Sequence, residues 1–143
     1  MTPIQRLEKF YTLFGDRRFG ELGDFLSGEV WYMQLNSMRP STSPRGRTVV
    51  VAALSNWGRW FRDMSIMPLS FTPLGADMVK KVSGAEHCFE VKYSFAGRYV
   101  QAIPDLHGRT MRVGDEVDLF FTDTVWLNRV QQIMCISSSF QVY

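Results

Sequence analysis

The hydrophobic pattern of this chain changes near residue 69, and that change constrains the fold more than any other feature. From Leu69 onward, apolar residues tend to alternate with polar ones, as in β-strands with one buried face. The pattern predicts strands near 69–74, 77–83, 86–101, 109–123 and 126–142. The last three are too long to lie flat, so we expect a strongly curved, mixed but mostly antiparallel sheet, bent by bulges and glycines.

Helical spacing dominates the N-terminus. Thr2 and Pro3 form an N-cap and first-turn pair, and Gly15 marks a stop. The apolar residues between them recur at the spacing of one helix face: Ile4, Leu7, Phe10, Tyr11 and Phe14. We therefore predict an amphipathic first helix.

Two more helices and a strand are expected before the sheet pattern begins. The segment 18–26 predicts a second, short helix, and the aromatic-rich segment 29–36 predicts a strand followed by a Pro/Ser/Gly loop. Thr48 is the expected cap of a third helix, whose apolar residues extend to Phe61. Helices followed by a run of strands indicate an α+β fold.

Length and charge limit the classes of function. The 143 residues suit one domain, 1–143, and a net charge of +2 is too small to indicate nucleic acid binding. Charges interrupt the apolar N-terminus, so neither a signal peptide nor a membrane span is expected.

Two cysteines, Cys88 and Cys135, form no disulfide framework or zinc motif, which favours a cytoplasmic protein. Arginines between 39 and 62 indicate a basic solvated face or a site that attracts an anion.

A curved sheet around a long first helix encloses a conical space, which is a common position for a small-molecule site. Two further segments then resemble a known family. The segment 97–122, GRYVQAIPDLHGRTMRVGDEVDLFFT, resembles the hairpin of the SnoaL-like polyketide cyclases, within the nuclear-transport-factor-2-like superfamily of α+β cones. Asn128-Arg129-Val130 resembles the turn before that family's last strand.

The resemblance implies candidate site residues but no complete catalytic set. Asp118 occupies the position of a polar site residue on the penultimate strand, and Cys135 stands where the cyclases have a catalytic Asp. Tyr32 and Gln34 resemble the first-strand Tyr and Asn of the family's epoxide hydrolases. Tyr11 resembles a helix-one Tyr of the ketosteroid isomerases. Because members differ in chemistry, the fold alone selects no reaction.

Strand parity and the resemblance together suggest a site. Glu116, Asp118 and Phe120 share one face of their strand. If that face lines the cone, Asp118 would be desolvated between aromatic rings and act as an acid or base, with Tyr32 and Gln34 as catalytic orienters. The remaining expected substrate contacts are Tyr11, Trp31, Glu116, Phe120, Trp126 and Cys135. The alternative for Asp118 is a structural ion pair with Arg112 or Arg98.

Other reactive side chains are expected to be structural. His87 and His107 have no carboxylate or cysteine partner at a spacing that indicates catalysis. The run Ser137–Ser139 predicts a polar strand edge. We expect no metal and no organic cofactor, because no ligand spacing or dinucleotide motif is present.

Two functions follow from these patterns. The first is a cofactor-independent enzyme that transfers protons on a hydrophobic, oxygenated small molecule, as a cyclase, isomerase, dehydratase or epoxide-opening enzyme. The alternative is a non-catalytic ligand-binding or dimerisation module. In either case we expect a homodimer formed through the sheet, because the last strands carry more apolar side chains than one buried face needs.

Overall fold

The structure, a computed structural model, describes residues 1–35, 43–100, 103–104 and 110–142. It consists of N-terminal helices against a five-stranded, mostly antiparallel sheet that does not close on itself. The predicted α+β class is confirmed. His107, Arg39 and part of the Pro/Ser/Gly loop lie outside the described residues.

The first helix, α1, spans Pro3–Gly15, as its sequence predicts. Thr2 and Gln5 form a capping box, because the Thr2 hydroxyl accepts from the Gln5 amide at 3.1 Å and the Gln5 side chain accepts from the Thr2 amide at 2.9 Å. The apolar face is buried against the sheet through Leu7, Phe10, Tyr11, Leu13 and Phe14.

The segment after α1 differs in detail from the prediction. Phe19–Phe25 forms a 3₁₀ helix, and strand β1 follows at once over Leu26–Gln34. Helix α2 spans Arg47–Trp60 with Gly46 as its N-cap, so the prediction of Thr48 as the cap was wrong. Phe61 ends the helix and starts strand β2, Phe61–Pro73, eight residues before the predicted strand near 69.

The predicted strand at 77–83 is also wrong, because Ala76–Val79 forms a short helix, α3. The long strands are β3, Ala85–Tyr99, β6, Glu116–Asn128, and β7, Ile133–Val142, with a two-residue pair β4, Ile103–Pro104, and β5, Thr110–Met111. Strand β3 is close to the predicted strand 86–101, whereas β6 and β7 each begin seven residues later than the predicted strands 109–123 and 126–142.

The strand order in the main sheet is β1-β7-β6-β3-β2. Strand β1 pairs with β7 in parallel, whereas the other neighbours are antiparallel, so the sheet is mixed as expected. Register shifts interrupt the pairing between Arg62 and Ser65 and between Pro68 and Ser70. Such bulges bend long strands, which lets the sheet curve around α1.

The main core lies on the concave face, between the sheet and helices α1 and α2. Along β6 the residues buried on this face are those at odd positions from Val117 to Leu127, and along β3 they are Phe89, Val91, Tyr93, Phe95, Gly97 and Tyr99. Gly97 permits close packing there, because an added Cβ would lie 3.1 Å from the Cβ of Phe61 and would require Phe61 to shift. This alternation decides which side chains reach the interior.

Candidate functional site

A carboxylate lies in the middle of the concave core. Asp123 continues the alternation of β6 beyond Val117, Leu119 and Phe121, and only 2% of it is exposed. Buried carboxylates are rare because water stabilises their charge far better than an apolar interior does. Asp123 is therefore the most unusual residue of the core.

Three hydroxyl groups from three elements donate to this carboxylate. Tyr11 of α1 donates to Oδ2 at 2.6 Å, and Tyr93 of β3 donates to the same oxygen at 3.1 Å. Ser138 of β7 donates to Oδ1 at 2.6 Å. The network joins the helix to three adjacent strands, and its three donors stabilise the ionised form of Asp123.

Burial raises the pKa of Asp123 to about 6, although the bonds from Ser138, Tyr11 and Tyr93 act in the opposite direction. Burial, together with the charge of Asp123, also raises the pKa values of Tyr11 and Tyr93 well above the ordinary value for tyrosine. Near neutral pH the site therefore combines an ionised carboxylate with protonated phenols. A carboxyl with a pKa near 6 can both take and return a proton at physiological pH.

Asp123 lines a cavity between α1, α2 and the sheet. Its other walls are Phe10, Tyr11, Phe14, Tyr32, Leu54, Trp57, Tyr93, Phe95, Phe121 and Ile136. The space left between these side chains is about 10 Å³, which is close to the smallest that holds one water molecule. A larger ligand would therefore have to displace part of the wall.

Tyr32 and Gln34 extend the polar network toward the end of β1. The Tyr32 hydroxyl donates to Oε1 of Gln34 at 2.8 Å, and Nε2 of Gln34 donates to the Ser138 carbonyl at 3.4 Å. Burial raises the pKa of Tyr32, so its hydroxyl stays protonated. Ser138 thus contacts Asp123 through its side chain and Gln34 through its backbone.

Three of the predicted site residues lie in this region: Tyr11, Tyr32 and Gln34. The predicted orientation of Asp118 was wrong, because Asp118 is exposed on the convex face. Glu116 and Phe120 share that convex face, and Glu116 is exposed in an ion pair with Arg98. The physical reason is that β6 buries its apolar face, formed by Val117, Leu119 and Phe121, and alternation then turns Asp118 outward.

The other three predicted contacts form a separate cluster on the convex face. Trp126 lies between Cys88 and Cys135 in the strand register, and its indole N–H donates to the Met78 carbonyl at 2.8 Å. Trp31 is next to Cys135, and the Arg45 guanidinium lies 4.1 Å from its ring centroid. Burial raises the pKa of each thiol to about 11, so both behave as small apolar groups. Trp31, Trp126 and Cys135 therefore do not line the cavity.

Sequence reasoning missed Asp123, Tyr93 and Ser138. A signal for Asp123 was present, because Asp123 has the parity of Val117, Leu119 and Phe121 and is followed by Val125 and Leu127 on the same face. Ser138 was expected at a polar strand edge, but it is fully buried beside Asp123. No local pattern marks a serine that a distant carboxylate requires.

Two features are absent from the described part of the chain. In residues 1–35, 43–100, 103–104 and 110–142, no three His, Cys, Asp or Glu side chains are grouped so that they could hold a metal ion. None of the helices described there combines the length and apolar character needed to cross a bilayer.

Comparison with known proteins identifies the fold. No family model and no curated protein sequence matches the chain. Among solved structures, a proposed isomerase from Bacillus subtilis is similar with a TM-score of 0.71 at 10% identity, covering 99% of this chain and 90% of that one. A proposed SnoaL-like polyketide cyclase from Shewanella denitrificans gives a TM-score of 0.70 at 8% identity, covering 97% and 90%.

A third similar structure contains a ligand. It is a hypothetical protein with a ketosteroid isomerase-like fold from Catenulispora acidiphila, in complex with trimethylamine. Its TM-score is 0.66 at 8% identity, and the match covers 93% of this chain and 82% of that one. The predicted resemblance is confirmed at the level of fold: the chain has the α+β cone of the SnoaL-like and other nuclear-transport-factor-2-like proteins.

Proposed function

We propose that this protein is a cofactor-independent enzyme that transfers a proton on a hydrophobic, oxygenated small molecule. The observation that carries the proposal is the buried Asp123 carboxylate, with a pKa of about 6, in a cavity walled by aromatic side chains. Its neighbours of the same fold include proposed isomerases and cyclases, which supports this reaction type only at the level of fold.

Asp123 would act as the base and then as the acid. Its carboxylate would take a proton from a carbon next to a carbonyl group, and the C–H electron pair would move into an enolate. Return of a proton to either end of the enolate would give the isomer or the starting compound, and would restore the carboxylate. Tyr11, Tyr93 and Ser138 would hold the carboxylate in place through their three hydrogen bonds.

Tyr32 is the proposed donor to the substrate oxygen. Tyr32 lines the cavity and its hydroxyl donates to Gln34 at 2.8 Å, so it would exchange this bond for one to the ligand. The raised pKa keeps the proton on this oxygen. In this proposal Tyr32 and Gln34 keep the orienting roles that the sequence indicated, and Asp123 replaces Asp118 as the acid/base.

The alternative is a non-catalytic ligand-binding or dimerisation module, in which the cone holds a ligand or is filled by side chains. The cavity of about 10 Å³ favours a filled cone, because it leaves no room for a carbonyl compound unless side chains move. The complex of the Catenulispora acidiphila protein with trimethylamine supports small-molecule binding as a use of this fold. Binding and catalysis are therefore measured separately below.

Exchange of carbon-bound hydrogen tests the enzyme proposal without knowledge of the natural substrate. In D₂O, proton NMR would follow loss of the α-hydrogens of cyclohexanone and 2-tetralone. The wild-type protein should accelerate exchange, and Asp123→Asn should reduce the acceleration by roughly 10²-fold or more, the scale of general acid–base catalysis. Asp118→Asn is the matched control on the same strand and should exchange at the wild-type rate.

The outcomes separate the two functions. Undiminished exchange in a folded Asp123→Asn protein would contradict the assignment of Asp123 as the base. Saturable binding of the ketones without any acceleration would support the binding module instead. Acceleration that rises with pH through about 6 and then levels off would support the enzyme, because only the ionised carboxylate is a base.

We also propose that the protein forms a homodimer through the convex face of the sheet. Its centre combines small side chains, including Ser94, Ala96, Thr122 and Thr124, with Glu90, Lys92 and Phe120, and Met67 at its margin is 64% exposed. Two such sheets can pack face to face. Sedimentation at micromolar concentration should show a dimer, and Thr122→Arg should dissociate it. A wild-type monomer under these conditions would contradict the proposal.

A further inference from the structure

We infer that the ligand of the concave cavity carries a positive charge, in the form of an alkylammonium group held between the Asp123 carboxylate and the surrounding aromatic rings. This inference rests on the function proposed above, because it concerns the same site. It adds the charge class of the ligand, which the reaction type does not specify.

The first argument is the charge of the cavity wall. Asp123 is the sole charged residue among the described side chains that form the wall, and no Lys, Arg or His is found among them. Its hydrogen-bond donors are neutral hydroxyl groups, so they stabilise the negative charge without cancelling it. A buried charge without a partner is costly, and a cationic ligand would supply the partner.

The second argument is the composition of the wall. Eight of its eleven side chains are aromatic: Phe10, Tyr11, Phe14, Tyr32, Trp57, Tyr93, Phe95 and Phe121. Several of these rings pack closely around the carboxylate, with centroids 4.9 Å apart for Tyr11 and Tyr93 and 5.6 Å apart for Trp57 and Phe121. Aromatic faces attract cations, and the attraction grows when water is excluded. Apolar substituents on the nitrogen would suit the same rings.

The same features disfavour anionic ligands and pure hydrocarbons. A carboxylate or phosphate would face the charge of Asp123 with no cation in the described wall to offset it. A neutral hydrocarbon would leave Asp123 buried without a counterion. Among charge classes, a cation with apolar substituents is the one that both the carboxylate and the rings favour.

An alkylammonium ion is larger than the space of about 10 Å³ between these side chains, so binding must displace part of the wall.

Binding of choline and of 3,3-dimethylbutan-1-ol tests the inference. The two molecules have nearly the same shape, but only choline carries a charge, so calorimetry compares charge at constant size. Choline should bind about tenfold more tightly or better, given the strength of desolvated cation–π contacts. Its affinity should rise with pH through about 6, because protonation of Asp123 removes the counterion. The titratable groups facing Asp123 are Tyr11, Tyr32 and Tyr93, and all three stay neutral in this range.

Two variants complete the test. Asp123→Asn should bind both molecules equally, whereas Asp118→Asn, which changes the same charge on the convex face, should keep the preference for choline. Equal binding of the two molecules by the wild-type protein would overturn the inference, as would failure to bind choline. If choline binds but no ketone exchanges hydrogen, the enzyme proposal fails and the charge inference stands. If exchange depends on Asp123 while choline is not preferred, the charge inference alone fails.

Discussion

Two aspartates five residues apart on one strand have opposite environments. Asp123 is buried in the concave core, and Asp118 is exposed on the convex face. An odd separation along a strand puts side chains on opposite faces, so any assignment of one face fixes the other. The apolar face of β6 therefore determines which of the two aspartates lies inside the cone.

The raised pKa of Asp123 predicts how its replacement changes stability with pH. A carboxyl whose pKa is about 6 when folded and about 3.8 when unfolded holds its proton more tightly in the folded state. Its contribution to folding is thus full below pH 4 and is lost as pH rises through 6. Relative to wild type, Asp123→Asn should gain roughly 2–3 kcal/mol of unfolding free energy between pH 4 and pH 8.

Urea unfolding at a series of pH values measures this difference. Subtracting the wild-type curve removes the contribution of the other carboxyl groups, which titrate equally in both proteins. Asp118→Asn, which replaces an exposed aspartate of the same strand, is the control for the loss of one carboxylate. A difference curve for Asp123→Asn that is no steeper than the curve of this control would show that the folded protein does not raise the pKa of Asp123.

Tyr11 and Tyr32 should differ in their effect on the pH dependence of hydrogen exchange. Tyr11→Phe removes a 2.6 Å bond that lowers the pKa of Asp123, so the midpoint of the rate profile should move to higher pH. Tyr32→Phe removes a bond to Gln34 instead, so it should lower the rate and leave the midpoint in place. Equal midpoints for both variants would contradict the separate roles assigned to them.

At the scale of elements, period-two alternation predicted the bounds of β3 and the existence of β6, because burial on one face imposes that period. The junctions were predicted poorly. Helical spacing continues through Trp57 to Phe61, but Phe61 belongs to β2, where it stacks on Trp57 with an interplanar angle of 13°. The segment at 77–83 is too short for its period to distinguish a strand from the turn of helix α3.

Close packing between β2 and β3 predicts the effect of an added methyl group. A Cβ at Gly97 would lie 3.1 Å from the Cβ of Phe61, a fully buried residue with little freedom to move. Gly97→Ala should therefore lower the free energy of unfolding by about 1–3 kcal/mol in urea titrations. Gly28→Ala, on β1 with no atom within 4 Å of the new Cβ, is the control and should cost little. Equal stabilities would contradict the tight contact.

At the scale of the whole molecule, the cone-shaped fold could be predicted because the elements that form it can each be recognised from a short stretch of sequence. The capped α1 and the long alternating strands each leave a local pattern in the sequence. The site could not be predicted in the same way. Asp123 meets Tyr11, Tyr93 and Ser138 only through the strand order and the packing of α1, and neither is encoded in a local spacing. The family resemblance placed Asp118 inside the cone, although the apolar residues Val117, Leu119 and Phe121 indicated that the opposite face of β6 is buried.

The concave core and the convex cluster should be energetically independent. Asp123 contributes to the first, and Trp126 contributes to the second through its bond to the Met78 carbonyl. The effects of Asp123→Asn and Trp126→Phe on unfolding free energy should add within about 0.5 kcal/mol in the double variant. A larger deviation would show that the sheet couples its two faces.

We propose that burial raises the pKa of Asp123 into the range that suits proton transfer. The most direct test is a ¹³C NMR titration of the carboxyl carbons in the folded, Asp-labelled protein. The resonance that is missing from the spectrum of Asp123→Asn identifies Asp123. We predict a midpoint at a pH of about 6. A midpoint near 4 or below, where ordinary aspartates titrate, would contradict the account.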